Sequence, residues 1–184
     1  MSSPIQTISQ GTDWKQVSVG GSLISSIKTD GTLWLWGNNL CGALATNSTT
    51  NQSSPVQTIS QGTNWKQVSA GFNQGYAIKT DGTLWAWGLN TSGQLGDNST
   101  LNKSSPVQTV STGTNWKQIN AGCLTTAAIK TDGTLWLWGD NAFGILGNNS
   151  TISLSSPIQT ITSGTNWKHL SVGRNFTAAV TFTD

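Results

Sequence analysis

The sequence predicts an all-β protein: a β-propeller of four-stranded antiparallel blades, with three complete 51-residue repeats and a partial fourth. Three observations carry this. Pro4, Pro55, Pro106 and Pro157 recur every 51 residues, and so do Trp14, Trp65, Trp116 and Trp167 and Gly20, Gly71, Gly122 and Gly173. The segments between them read as short strands with period-two alternation, and none holds a helical apolar stripe. A unit with apolar groups on both faces cannot bury them alone. It needs a like unit on each side, which is the logic of a propeller blade.

Within a repeat the strands follow in order. Proline cannot donate to a ladder, so residues 4–8 read as an edge strand at the rim. Gly11-Thr12-Asp13 is a turn. Residues 14–19 alternate, with Val17 and Val19 on one side and Gln16 and Ser18 on the other. The equivalent strands end in Ala70, Ala121 and Val172, and such small residues place this strand nearest the axis. Residues 25–28 form a third strand, clearer at 76–79 and 127–130. Asp30-Gly31 then predicts a tight two-residue hairpin turn, since glycine supplies positive φ. In Thr32-Leu33-Trp34-Leu35-Trp36 the leucines face one side and the tryptophans the other, so this strand is expected to be buried on both faces. A polar loop over 38–53 follows, with Asn39, Gly42 and Leu44 echoed by Asn90, Gly93 and Leu95 and by Asn141, Gly144 and Leu146. One domain is expected over 1–184, with repeats at 3–53, 54–104, 105–155 and an incomplete one at 156–184.

Composition narrows the function classes. Only 9% of residues are charged, glutamate is absent, and the formal net charge is +2. That balance is too weak to imply nucleic acid. Cys41 and Cys123 occupy different places in their repeats, which predicts free thiols rather than a repeat-encoded disulfide or metal pair. No run approaches the roughly 18 apolar residues of a membrane helix. No signal peptide precedes the first repeat. The expectation is no membrane insertion and a virion-associated or cytoplasmic location.

The residues offer no reaction. His169 stands where the other repeats carry Gln16, Gln67 and Gln118, as a strand variant does. Asp30, Asp81 and Asp132 belong to turns. Without paired carboxylates glycoside hydrolysis has no candidates. No Cys/His/Asp cluster could hold a metal, no base stands beside a Ser or Thr, and no glycine run opens a phosphate loop. No catalytic residue, cofactor or metal is therefore expected. The repeated lysines (Lys15, Lys66, Lys117 and Lys168; Lys28, Lys79 and Lys130) read as solvated charges that discourage edge pairing. All ten tryptophans occupy repeat positions and read as core between blades.

One family matches these residues. Trp65-Lys66-Gln67-Val68-Ser69-Ala70-Gly71, Ala77-Ile78-Lys79-Thr80-Asp81-Gly82, Leu84-Trp85-Ala86-Trp87-Gly88, Asn90 with Gly93-Gln94-Leu95-Gly96, and Pro106-Val107 together resemble the repeat of the regulator of chromosome condensation family. The bacterial and phage-type versions look most similar, and the resemblance covers nearly the whole chain. It implies a propeller, usually of seven blades. The founding member is a nucleotide-exchange factor for a small GTPase and binds chromatin; other members are interaction modules without a common activity. Where the family often carries histidine this chain has Leu23, Gln74, Thr125 and Phe176. Its strict 51-residue spacing leaves no insertion of the kind the founding member uses on its GTPase.

A constant framework with varying loops is the pattern of a binding surface on a rigid scaffold. The variable stretches are 21–25, 72–76, 123–127 and 174–178, and the long loops 38–53, 89–104 and 140–155. The candidate interaction residues are Phe72, Asn73, Gln74, Phe143, Arg174, Asn175 and Phe176, with the phenylalanines as anchors. The expected function is a non-enzymatic scaffold for protein–protein contact or assembly, as in a structural protein of a virion or extracellular particle. The alternative is a carbohydrate-binding propeller lectin; a GTPase exchange factor or chromatin module ranks third. Closure of the ring stays open: four blades in one chain, a two-chain ring of seven or eight, capping by another protein, or a truncated chain. Open ends leave strand edges and apolar faces exposed. The expected partner is thus a protein or second copy that completes the propeller, or a glycan in the lectin reading.

Overall fold

The computed structural model describes residues 11–181 apart from Thr112, Ser163 and Asn175. Residues 4–8, expected as a rim strand, lie outside the described residues. Strands β1 (Trp14–Val19), β2 (Leu23–Lys28), β3 (Leu33–Gly37) and β4 (Gln52–Gln57) form the first four-stranded antiparallel blade, paired in that order. The second blade is β5 (Trp65–Ala70), β6 (Gln74–Lys79), β7 (Leu84–Gly88) and β8 (Lys103–Gln108). The third is β9 (Trp116–Ala121), β10 (Thr125–Lys130), β11 (Leu135–Gly139) and β12 (Leu154–Gln159). β13 (Trp167–Val172) and β14 (Thr177–Thr181) form a two-stranded sheet after it. The molecule is a partial propeller.

The small-residue strands β1, β5, β9 and β13 neighbour one another in turn, and Val19, Ala70, Ala121 and Val172 line a shared mouth. This is the predicted inner position. Pro55, Pro106 and Pro157 sit in the rim strands β4, β8 and β12, where a missing N–H costs no ladder bond. Each rim strand closes the blade built from the preceding repeat, so blades and sequence repeats are out of phase. The chain thereby ties each blade to the next. The strand expected at 25–28 begins earlier, at Leu23, and the rim strand begins at Gln52.

Lys15, Lys66, Lys117 and Lys168 owe their recurrence to geometry. Pairing steps from Trp14 to Gln16 on β1 while advancing one residue on β2, and the same shift occurs in the other three sheets. Each lysine is the extra residue of a β-bulge, turned to solvent.

The hairpin between the second and third strands differs from expectation. Gly31 N–H donates to Lys28 O at 3.0 Å, and Lys28 N–H donates to Thr32 O at 3.0 Å. Gly31 has φ of +81° while Asp30 stays on the negative side. This is a wider turn with one left-handed glycine, not a two-residue turn with two positive φ values. The width lets the Gly31 carbonyl face outward, where it accepts Trp65 N–H of the next blade at 3.1 Å. Gly82 and Gly133 receive Trp116 and Trp167 likewise. A Cβ on Gly31 would sit 2.0 Å from Thr63 O, so the approach also requires glycine.

Blades pack forward face to rear face. Leu23, Ile27, Leu33 and Leu35 of the first blade meet Trp65, Val68, Ala70, Ala77 and Trp87 of the second. Tyr76, Ile78, Leu84 and Ala86 of the second meet Trp116, Ile119, Ala128 and Trp138 of the third. Ala127, Ile129, Leu135 and Leu137 of the third meet Leu170, with Trp167, Val172 and Ala179 beside it. The leucine and tryptophan faces predicted for the third strand are these two sides. Trp87 and Trp138 are fully buried, whereas Trp36 of the first blade is only half-buried, because no described blade lies behind it.

The long loops are structural posts in their inner half. Asn90 is buried; its amide donates to Asp97 Oδ1, Ser99 O and Leu101 O, and its carbonyl accepts Leu95 N–H at 2.9 Å. Asn39 and Asn141 repeat the pattern around Leu44 and Leu146. The leucines so placed join the core. The loops also brace the next blade, since Asn47 and Asn98 N–H donate to Ser104 O and Ser155 O at 2.8 Å.

Candidate interaction surfaces

The phrase Thr-Asp-Gly-Thr-Leu-Trp builds a relay. Thr32 N–H and Thr32 Oγ1 donate to Asp30 Oδ1 at 2.9 and 2.7 Å, and Trp34 Nε1 donates to Thr32 Oγ1 at 2.8 Å. The same chain runs through Asp81, Thr83 and Trp85 and through Asp132, Thr134 and Trp136. The threonine hydroxyl and then its amide hold each of these carboxyls below its ordinary range. Trp34 stands edge-on to Trp14 with ring centroids 6.4 Å apart, and Lys28 Nζ lies 4.9 Å from the Trp34 ring. Lys79 and Lys130 cap the equivalent pairs at 4.3 and 4.0 Å. Partial burial pushes the Lys130 ammonium down. These three lysines therefore sit on aromatic faces, where the sequence pattern suggests solvated strand ends. The conspicuous motif is spent on holding the fold.

Both sets of variable loops emerge at one end of the blades. The β1–β2 connection and the loop after β3 share that end, as Asn38 N–H donating to Ser22 O at 2.8 Å shows. At the axis an open cavity of about 450 Å³ is lined by Val19, Gly71, Phe72, Cys123, Val172 and Arg174, among others. Phe72 and Phe176 are exposed beside the axis. Phe143 is exposed on the long loop of the third blade, farther out along the same end. Asn73 is half-buried and Arg174 exposed, while Asn175 lies outside the described residues. Gln74 differs. It is fully buried and donates Nε2 to Gly122 O and Cys123 O at 3.1 and 2.7 Å, so it ties the second blade to the third instead of facing solvent. The cysteines are both free thiols. Among the described residues no group of three His, Cys, Asp or Glu side chains converges, and no helix is long and apolar enough to cross a membrane.

Two blade faces form further surfaces, of which only Phe176 was among the candidate residues. The first is the rear face of the first blade. Val17 and Val19 are 62% and 68% exposed, whereas the equivalent Val68 and Ala70 are 2% and 7% exposed. The second is the forward face of the two-stranded sheet, where Phe176 and Val180 are 63% and 49% exposed at positions held by buried Leu23 and Ile27 in the first blade. The alternation in residues 14–19 carries the signal for the first surface; the missing neighbour does not show in any one repeat.

The architecture is that of a repeat-built propeller module with two open blade faces. A profile of the regulator of chromosome condensation (RCC1) repeat matches residues 30–78, 81–129 and 132–180, and the chain belongs to that repeat family. It is 28% identical over 152 residues to the ultraviolet-B receptor UVR8 of Arabidopsis thaliana, covering 82% of this chain and 34% of that protein. It is 30% identical over 138 residues to the probable E3 ubiquitin-protein ligase HERC3 of Homo sapiens, covering 73% and 13%. The chain thus spans about a third or less of the curated relatives it matches. Among solved structures, human WBSCR16 superposes with a TM-score of 0.83 at 21% identity, covering 97% of this chain and 47% of that one. Prp20p of Saccharomyces cerevisiae gives 0.79 at 16% identity, covering 94% and 45%. These superpositions show the fold.

Proposed function

We propose that this chain is a non-enzymatic propeller scaffold that works through protein–protein contact, with another polypeptide covering its open blade faces inside a larger assembly such as a virion or extracellular particle. One observation carries the reading: the valines of β1 stand exposed at positions that the next blade buries almost completely. An apolar sheet face of this kind marks an interaction surface. Supporting it, the Asp-Gly turns, the buried asparagines and Gln74 are committed to holding blades and loops together. The relative Prp20p has been solved bound to Kap60, which agrees with a propeller of this family meeting a protein. The very low charge and the polar loop tips suit a surface packed among others in a particle.

The double variant V17D/V19D tests this. Both side chains are exposed in the single chain, so its fold should change by no more than about 0.5 kcal/mol. Sedimentation velocity should show the wild type heavier than 19.4 kDa and the variant at that mass. Wild type and variant both sedimenting above 19.4 kDa would count against the reading, since the contact would then not use the β1 face. A glycan array gives the comparison for the lectin alternative, with no binding expected.

A further inference from the structure

We infer that the two open faces are the two halves of one interface, and that a second copy of this chain closes them head to tail. The inference rests on the reading that a polypeptide covers the rear face of β1, and it names that polypeptide. The chain makes this type of contact three times within itself, and each contact has three parts.

The first part is a side chain that satisfies the open edge of the next inner strand. Ser18 Oγ accepts Ala70 N–H at 2.9 Å, Ser69 Oγ accepts Ala121 N–H at 3.0 Å, and Asn120 Oδ1 accepts Val172 N–H at 2.7 Å. Ser171 is the next member of this series and is exposed. Val19 is the amide that precedes the series. The second part is a close backbone approach. Gly21 N–H donates to Gly71 O at 3.3 Å, and a Cβ on Gly20 would fall 1.8 Å from that oxygen. Gly71 and Gly122 repeat the close approach, a Cβ there falling 2.7 Å from Gly122 O and 2.4 Å from Gly173 O. Gly173 keeps the residue this approach demands; the Phe176 ring lies 2.3 Å from its Cβ position and would turn onto the apolar face as Gly20 O of the other copy comes in. The third part is apolar. Phe176 and Val180 hold the forward positions, and Val17 and Val19 the rear ones.

An unrelated protein would have to reproduce this spacing, which the chain already carries at both ends of the series. Made reciprocally by two copies, this head-to-tail contact closes a ring when the blade rotations sum to a full turn; without closure it would grow a filament.

Cysteine pairs test the register. A hydroxyl-to-amide bond of 2.9 Å, as between Ser18 and Ala70, keeps the two Cα atoms within about 7 Å, inside disulfide reach. In a Cys41→Ala/Cys123→Ala background, S18C/A70C should form a bond within one chain, which verifies the geometry. S171C mixed with V19C should give a disulfide-linked pair of twice the 19.4 kDa mass, and neither variant alone should. Crosslinking of V19C with itself as readily as with S171C would overturn the head-to-tail arrangement. So would no crosslink in the mixture while the wild type sediments above 19.4 kDa, because another surface or partner would then cover β1. If the wild type and V17D/V19D both sediment at 19.4 kDa, the second-copy inference falls, while the broader reading is decided by exchange at Val17 and Val19 in the assembly.

Discussion

Replacing Trp138 with alanine should lower the unfolding free energy by about 4 kcal/mol, while the same change at Trp36 should cost only about 1 kcal/mol in the single chain. The two residues hold the same place in their repeats. Trp138 is fully buried among Tyr76, Ile78, Leu84 and Leu95 of the preceding blade, and its indole N–H donates to Gln94 O at 2.7 Å. Its loss leaves a cavity between two sheets that are fixed to each other by bonds such as Gln74 Nε2 to Gly122 O and Cys123 O, so the gap closes only in part. The Gln94 carbonyl would keep Tyr76 Oη and Thr126 Oγ1 as donors, so the cost is mainly packing. Trp36 is half-buried and packs on Trp14 of its own blade, with centroids 6.1 Å apart. Urea midpoints at constant slope measure the difference. Equal losses at both sites would mean that stability does not come from blade-to-blade contact.

Asn90→Ala should cost about 3 kcal/mol. The side chain is a buried post, and its removal leaves Leu95 N–H without an acceptor and Ser99 O and Leu101 O without their amide donor. Leu95 would lose its fixed entry into the core. Asn90→Asp should be at least as damaging. It would set a second carboxylate against Asp97, whose Oδ1 now accepts the Asn90 amide at 3.0 Å. Burial works to raise the Asp97 carboxyl, yet hydrogen bonds from Ser99, Asn90 and Lys103 hold it below the ordinary range. Thermal denaturation of N90A and N90D checks this, and a loss under about 1 kcal/mol would show that the loop folds without its post.

The strand order, the rim prolines and the small inner residues were all legible in the sequence, because period-two alternation and repeat spacing report backbone geometry directly. Asp30-Gly31 was legible as a turn but not as a wide one. Its width is set by the Gly31 carbonyl reaching Trp65 in the next blade, a contact that no local rule contains. Asn39, Asn90 and Asn141 were visible as echoes. Asparagine in a polar loop reads as surface, and only its fixed spacing to a glycine and a leucine hints at burial. Gln74 misled for the opposite reason. It falls at a variable position, which suggests solvent, yet its amide reaches two carbonyls of the third blade. The lysines of the second strands resemble solvated strand ends until the tryptophans beneath them are placed.

Hydrogen exchange at the amides of β1 tests most directly whether a polypeptide covers the open face. Val68 and Ala70 N–H are bonded by Gln16 Oε1 and Ser18 Oγ of the preceding blade, and Val17 and Val19 hold the equivalent places on the first blade. In the purified assembly Val17 and Val19 should be protected to a degree similar to Val68 and Ala70. Free exchange at Val17 and Val19, in a sample where Val68 and Ala70 stay protected, would contradict the account.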